Sequence, residues 1–268
     1  MRKYIFFAVL FVCAGALVYG QSPEDFEVIQ NKDGKTLTIA KYMGTLKDVI
    51  IPEKMYTLPV TIIGNNAFRD NELTSVTIPG SVTTIGEGAF KDNKLTGVTI
   101  SNGVTTIGES AFSNNELTGV TIPGSVTTIG EGAFKDNKLT SVTIPGSVKT
   151  IEWESFKDNK LTSVTILNGV TTIGWSAFAN NELTSVTIPS SVTTIGEKAF
   201  GVPDVRIAIY DYQWDFYPGS SKLISITVAE NAPVDTDAGF EQAFISFYES
   251  QEQAAGTYVK NESGWSKQ

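Results

Sequence analysis

The chain of 268 residues contains no histidine and one cysteine, Cys13. Without imidazole there is no Ser-His-Asp or Cys-His nucleophile, no histidine metal ligand and no histidine-based pH switch. Charged residues are scarce, at 18% of the chain against roughly 25% in soluble domains. Basic residues are the scarcer sign, with 20 Lys+Arg against 29 Asp+Glu and a net charge of −9. A phosphate-backbone binder needs a basic face, so nucleic acid is not an expected partner. Gly-rich phosphate loops, nucleophile elbows and clustered metal ligands are also missing. Nothing distinguishes the carboxylates of Asp211 and Asp215 from surface acids, as a glycosidase pair would require. No enzymatic activity, cofactor or metal is expected.

Only one long apolar run occurs. Residues 1–20 read MRKYIFFAVLFVCAGALVYG, with Arg2 and Lys3 as a basic start and a small-residue end before a polar segment. This predicts a secretory signal cleaved near Gly20. Cys13 lies inside its apolar core, and the bulky Val12 before it argues against a lipid-attached cysteine. Cleavage removes two positive charges and the only cysteine. The mature chain is then expected to have no transmembrane segment and no disulfide, and to rely on packing alone.

The body of the chain is a repeat. Leu73, Leu95, Leu117, Leu139, Leu161 and Leu183 are spaced by 22 residues. The unit starting at Leu73 reads LTSVTIPGSVTTIGEGAFKDNK, and five full units cover 73–182. A degenerate unit precedes them, with LKDVIIP at 46–52 matching the first half and IGNNAF at 63–68 the second; it carries five extra residues between these parts. Another begins at Leu183 and loses the pattern after Phe200. A fixed period in this range with a Leu-x-x-Val-x-Ile core predicts a leucine-rich-repeat solenoid: a β-rich, right-handed coil of about seven turns with a parallel sheet. Leu73, Val76 and Ile78 should point inward from one extended segment, and Val82 and Ile85 from a second. Pro79-Gly80 turns the chain between them, and Phe90 fills the coil. Asn93 and its equivalents Asn71, Asn115, Asn137, Asn159 and Asn181 suggest a buried asparagine ladder bonded to turn backbone. A lone unit cannot stand by itself, so both ends need caps.

Residues 21–45 are expected to form the N-terminal cap, as a hairpin turning at Asp33-Gly34. The solenoid is expected over 46–204 and a C-terminal cap over 205–268. Within the latter, Leu223 to Val228 is a drifted repeat strand. Phe240, Phe244, Phe247 and Tyr248 predict a short helix over 238–250. Thr257 to Val259 and Gly264-Trp265 suggest a closing hairpin.

The pattern LTSVTIPxSVTTIGExAFxxN resembles the BspA-like leucine-rich-repeat surface proteins of spirochaetes and oral anaerobic bacteria. So do the entry segment TLTIAKYMGTLKDVIIP and the tail AFISFYESQEQAAGTYVKNESGWSKQ. Two departures are that Asn stands where Cys often does near each unit's end, and that the unit is one residue shorter than the commonest form. The resemblance implies a secreted, cell-surface or outer-envelope protein. Its members act as adhesins toward matrix proteins of the fibronectin and fibrinogen kind, host cells or other bacteria. The competing reading is a structural periplasmic or surface spacer without a host ligand.

Two surfaces stand out as binding candidates. Thr77, Thr99, Thr121, Thr143, Thr165 and Thr187 form an outward row on the surface expected to be concave. This hydroxyl face suits an extended protein or glycan; the plainer reading is that threonine serves strand stability. Regular threonine rows can also order ice, but the expected curvature and the lack of a flat double row count against that. The position after Ile-Gly is Glu in Glu87, Glu109, Glu131 and Glu197, whereas neighbouring units carry Trp153 and Trp175. Leu167 replaces the usual Pro in the second of these units. Two exposed tryptophans side by side would be interface anchors; alternatively each ring packs over the coil edge. An aromatic segment, Tyr210 to Tyr217, is either a second such patch or a cover for the last coil. Asp92, Asp136 and Asp158 each lie between lysines, which favours solvated turn charges over a calcium site.

Overall fold

Each unit alternates β-branched residues over two short stretches, so its chain is extended twice per turn and bends where Pro, Gly and Asn occur. The computed structural model describes residues 22–183, 185–196, 198–201, 225–228, 256–261 and 264–267. The signal segment, the aromatic segment 210–217 and the expected helix over 238–250 lie outside the described residues.

The N-terminal hairpin forms as its Asp-Gly turn predicts. β1 (Phe26–Gln30) and β2 (Leu37–Tyr42) pair antiparallel. Asp33 accepts from the backbone of Lys35 and Thr36 at 2.8 and 3.0 Å, and Gly34 takes the left-handed φ of +66°. The degenerate coil follows with β3 (Asp48–Ile50), β4 (Lys54–Met55) and β5 (Leu58–Ile63). Its five extra residues become a small hairpin in which β4 pairs with the start of β5. The two-residue turn, Tyr56-Thr57, is left-handed at both positions, with φ of +49° and +71°. Such turns normally use Asn-Gly, so no turn signal marks this one.

The regular coils carry a long and a short strand each. They are β6 (Ser75–Ile78) with β7 (Thr84–Ile85), then β8 (Gly97–Ile100) with β9 (Thr106–Ile107). A coil with only β10 (Thr128–Ile129) comes next. Then come β11 (Ser141–Ile144) with β12 (Thr150–Ile151), β13 (Ser163–Ile166) with β14 (Thr172–Ile173), and β15 (Ser185–Ile188) with β16 (Thr194–Ile195). The short strands extend the hairpin sheet in the order β1-β2-β5-β7-β9-β10-β12-β14-β16. The long strands stack in register but in two groups, β3-β6-β8 and a second starting β11-β13-β15. The second is continued by β17 (Ser225–Val228), parallel to β15, and closed by the antiparallel pair β18 (Gly256–Asn261) and β19 (Gly264–Lys267). The drifted strand and the closing hairpin read from the sequence therefore both exist.

The gap between the two groups is Gly119 to Ile122, where no ladder forms. Gly97 and Gly119 stand where β3 has Asp48 and the other long strands have Ser. A Cβ built on either meets nothing within 4 Å, so no close approach demands glycine there. Two adjacent residues without side chains simply remove the cross-strand packing that favours a ladder.

The core runs the length of the array. Tyr42, Phe68, Phe90, Phe112, Phe134, Phe156, Phe178 and Phe200 stack in one column, with successive ring centroids 4.9–5.6 Å apart. Most of the Leu, Val and Ile positions are buried around it as expected; Leu46 of the degenerate coil is exposed, and Val98, Val120 and Ile195 are only half-buried. The asparagine ladder is also present. Asn137 Nδ2 donates to the carbonyls of Phe112, Phe134 and Lys135 at 2.9, 3.1 and 3.2 Å, and its Oδ1 accepts from Leu117 N at 3.1 Å. One side chain thus satisfies its own turn and binds the coil before it. Serines add a second set of rungs: Ser125, Ser147 and Ser191 donate to the carbonyls of Val104, Val126 and Val170.

Asn137→Ala should leave the Leu117 amide without its acceptor and take one of two donors from the carbonyls of Phe112, Phe134 and Lys135, which keep Asn115, Asn159 and the Asn114 amide, at a cost of about 2–3 kcal/mol. Asn137→Asp keeps the shape but aims a carboxylate at those carbonyls, which raises the folded-state carboxyl's affinity for protons. Its penalty should therefore be full at pH 7 and shrink as pH falls toward 4. Urea denaturation of both variants at the two pH values checks this; a pH-independent penalty for the Asp variant would contradict it.

Candidate functional site

The threonines divide into two populations. Thr74, Thr96, Thr140 and Thr162, and just before the short strands Thr83, Thr105, Thr127, Thr171 and Thr193, donate their hydroxyls to carbonyls one coil earlier at 3.0–3.5 Å. These serve the stack. The outward row is different: the hydroxyls of Thr77, Thr99, Thr121, Thr143, Thr165 and Thr187 make no hydrogen bond among the described residues. Thr77 is half-buried and the other five are exposed. Ladder register aligns Thr77 with Thr99, and Thr143 with Thr165 and Thr187. Thr121 lies in the unpaired coil, so the row is one column interrupted in its middle.

The tryptophans occupy equivalent places in neighbouring coils, because Ile151 and Ile173 are paired two residues before them. The Trp153 carbonyl accepts from Gly132 N and the Trp175 carbonyl from Glu154 N, which fixes both on one edge. Their environments differ. Trp153 is 56% exposed, whereas Trp175 is half-buried with Lys157 Nζ 5.8 Å from its ring centroid. Leu167 is exposed but precedes β14, whereas Trp175 follows it. It stands at another corner of the coil and is no part of the aromatic edge.

Beside this edge lies a set of charges that reading one unit at a time does not show. Glu154 sits between Lys135 (2.7 Å) and Lys157 (2.8 Å), and is left-handed at φ +52°. Burial opposes ionisation of Glu154, but the hydrogen bonds from the two lysines outweigh it and hold the carboxyl below the usual range. Asp92, Asn114, Asp136, Asp158 and Asn180 form a column of left-handed residues. Asn114 donates to Asp92 at 2.7 Å and Asn180 to Asp158 at 2.5 Å. Asp136 instead faces Asp158, and partial desolvation with that neighbouring charge raises its affinity for protons. Stacking units in columns of 22 would have exposed both arrangements. A groove runs between this column and the glutamates Glu109 and Glu131, floored by Ser110, Ser113 and Gly132. Among the described residues no cluster of three acidic or thiol side chains is placed to hold a metal ion. No described helix is long and apolar enough to cross a membrane.

The family model of the BspA-type leucine-rich-repeat region matches six copies, over residues 41–160 and 84–203. The chain belongs to that family. As a BspA-type protein it is similar to a leucine-rich cell surface protein of Faecalibacterium prausnitzii, at 27% identity over 92% of this chain, with a TM-score of 0.62. This chain spans 60% of that protein's length. A leucine-rich-repeat protein of T. pallidum is 24% identical over 60% of this chain and 88% of its own, with a TM-score of 0.46. One from Bacteroides capillosus is 27% identical over 53% of this chain and 94% of its own, with a TM-score of 0.37. No curated protein matches the chain.

The Asp136–Asp158 pair gives a test of the column. A raised carboxyl pKa means that the ionised pair destabilises the fold above the aspartate range, and that the loss disappears as protonation sets in below it. Asp158→Asn places an amide beside Asp136, as Asn114 does beside Asp92. Asp136 is exposed, and with solvent screening the gain at pH 7 should be small, about 0.5 kcal/mol. Thermal melts should show the gain at pH 7 and none at pH 3.

Proposed function

We propose that this BspA-type solenoid is exported, with cleavage near Gly20, and acts at the cell surface by binding other proteins. The role we assign is that of an adhesin for extracellular matrix, host cells or other bacteria. Repeat scaffolds of this family bind rather than catalyse, and the F. prausnitzii relative is a cell surface protein. The observation that carries the reading is Trp153, an indole more than half exposed on a rigid edge. Large exposed aromatics on rigid supports are the commonest anchors of protein interfaces. The outward threonine row offers uncommitted hydroxyls as a second contact face. The structural-spacer reading draws on the other threonines, whose hydroxyls are committed to the stack.

The experiment is binding of residues 21–268 to immobilised fibronectin and fibrinogen, with albumin as control. A Trp153→Ala/Trp175→Ala variant is run beside it at physiological ionic strength. The expected result is saturable binding, weakened about ten-fold or more in the variant, as befits loss of an aromatic anchor. Saturable binding untouched by the variant moves the site to the threonine face. Signal no higher than on albumin favours the spacer.

A further inference from the structure

The tryptophan edge continues a row of glutamates. Glu87, Glu109, Glu131, Trp153 and Trp175 occupy one position in five successive coils, and the three glutamates are exposed. None of the three has an ion-pair partner among the described residues, although Glu72, Glu116 and Glu154 all do. With strands ~4.8 Å apart, the row is about 19 Å long. The groove beside it is lined by five carboxylates, including Glu109 and Glu131, against the two ammonium groups of Lys91 and Lys135. Glu154 is paired with Lys135 and Lys157, and Asp92 with Arg69 at 2.9 Å, which leaves Glu109, Glu131 and Asp136 against Lys91. In the groove floor the Ser113 hydroxyl is buried, with the residue 5% exposed, and has no hydrogen-bond partner. It stands where the flanking coils carry Lys91 and Lys135, so its short side chain leaves room that those lysines would fill.

We infer that this strip takes an extended, cationic segment of a partner polypeptide, lying along the solenoid axis. The inference rests on the protein-binding reading and names the chemistry of the partner. A free metal ion does not suit the strip, because its carboxylates are spread along a row rather than gathered. Spread carboxylates suit cations carried at intervals on a chain. Two coils advance about 9.6 Å, and a polyproline-type segment advances ~9.3 Å every three residues. A cation on every third residue therefore meets Glu87, then Glu131, then the tryptophan pair. Trp175 already holds the Lys157 ammonium near its ring, and Trp153 presents the same aromatic surface unoccupied by any described cation.

The test is fluorescence anisotropy with two labelled peptides, one of Lys-Pro-Pro triplets and one of Glu-Pro-Pro triplets. They are titrated with wild type, a Glu87→Gln/Glu109→Gln/Glu131→Gln variant and Trp153→Ala. The three glutamates are exposed, and circular dichroism confirms that the variants remain folded. The lysine peptide should bind wild type saturably, about ten-fold more weakly to the triple variant, and more weakly as salt rises. Equal binding of the glutamate peptide, equal binding by the triple variant, or no binding of the lysine peptide overturns the inference. Fibronectin binding lost in the tryptophan variant but kept in the triple variant also overturns it, and leaves the adhesin reading standing. Glutamate-dependent capture of the lysine peptide without any matrix binding does the reverse.

Discussion

The five full coils depend on one recurring side-chain amide. From Asn93 to Asn181 the asparagine near the end of each unit donates to carbonyls of its own turn and of the coil before, and accepts from the leucine amide one turn earlier, whereas Asn71 of the degenerate coil donates only to the Arg69 carbonyl. An asparagine side chain offers two donors and a carbonyl acceptor, and here all are used. The arrangement requires the side chain to recur after a fixed number of residues. An inserted residue between Leu and Asn that is not looped out of the coil would move the amide off its targets and leave buried polar groups unpaired, the costliest kind of error in a protein interior. The period of 22 is therefore enforced by hydrogen bonding, and the aromatic column follows from it. Phe90 and Phe112 can stack in near-parallel planes only because their coils repeat without slippage.

That constraint also explains where irregularity is tolerated. The five extra residues of the first coil project as the β4–β5 hairpin from the corner between long and short strands, away from the asparagine turn. The missing ladder at Gly119 to Ile122 lies on the long-strand side, while the short-strand sheet, the asparagines and the phenylalanines pass through the same coil unbroken. The coil keeps its place with one of its ladders absent because the other connections hold it.

Much of this was legible in the residues. The period, the inward positions, the ladder of asparagines, the Asp33-Gly34 hairpin and the closing strands all follow from patterns with a local physical cause. What was not legible has a common origin. The Tyr56-Thr57 turn lacks the small residues that usually mark left-handed backbone, so neighbouring structure imposes it. The sheet interruption needs Gly97 beside Gly119, which are 22 residues apart and unremarkable singly. The Lys135–Glu154–Lys157 cluster likewise forms only when two coils are stacked, and the groove at Ser113 only when four are. Of the binding candidates, the pairing of Trp153 with Trp175 could be read from spacing, but not their unequal exposure. Nor could the sequence show which threonines keep a free hydroxyl.

The variation among units is concentrated on one side of the coil. Residues facing the core barely change from unit to unit, whereas the positions after the short strand change sharply around the tryptophans. The unit containing Trp153 reads EWESFKDNK there and the next reads GWSAFANNE. The two share the tryptophan and the core phenylalanine but little of the intervening surface, so the shared indole is not merely one face copied whole. Its setting differs too, open in one coil and backed by Lys157 in the next. The scaffold makes such change inexpensive, since it is the backbone at this position that bonds to the coil before, through each carbonyl and, at Glu87, also the amide. A solenoid whose hydrogen bonds are fixed by asparagine, serine and the coil-bridging threonines leaves the Glu–Trp row free to be shaped by what it contacts.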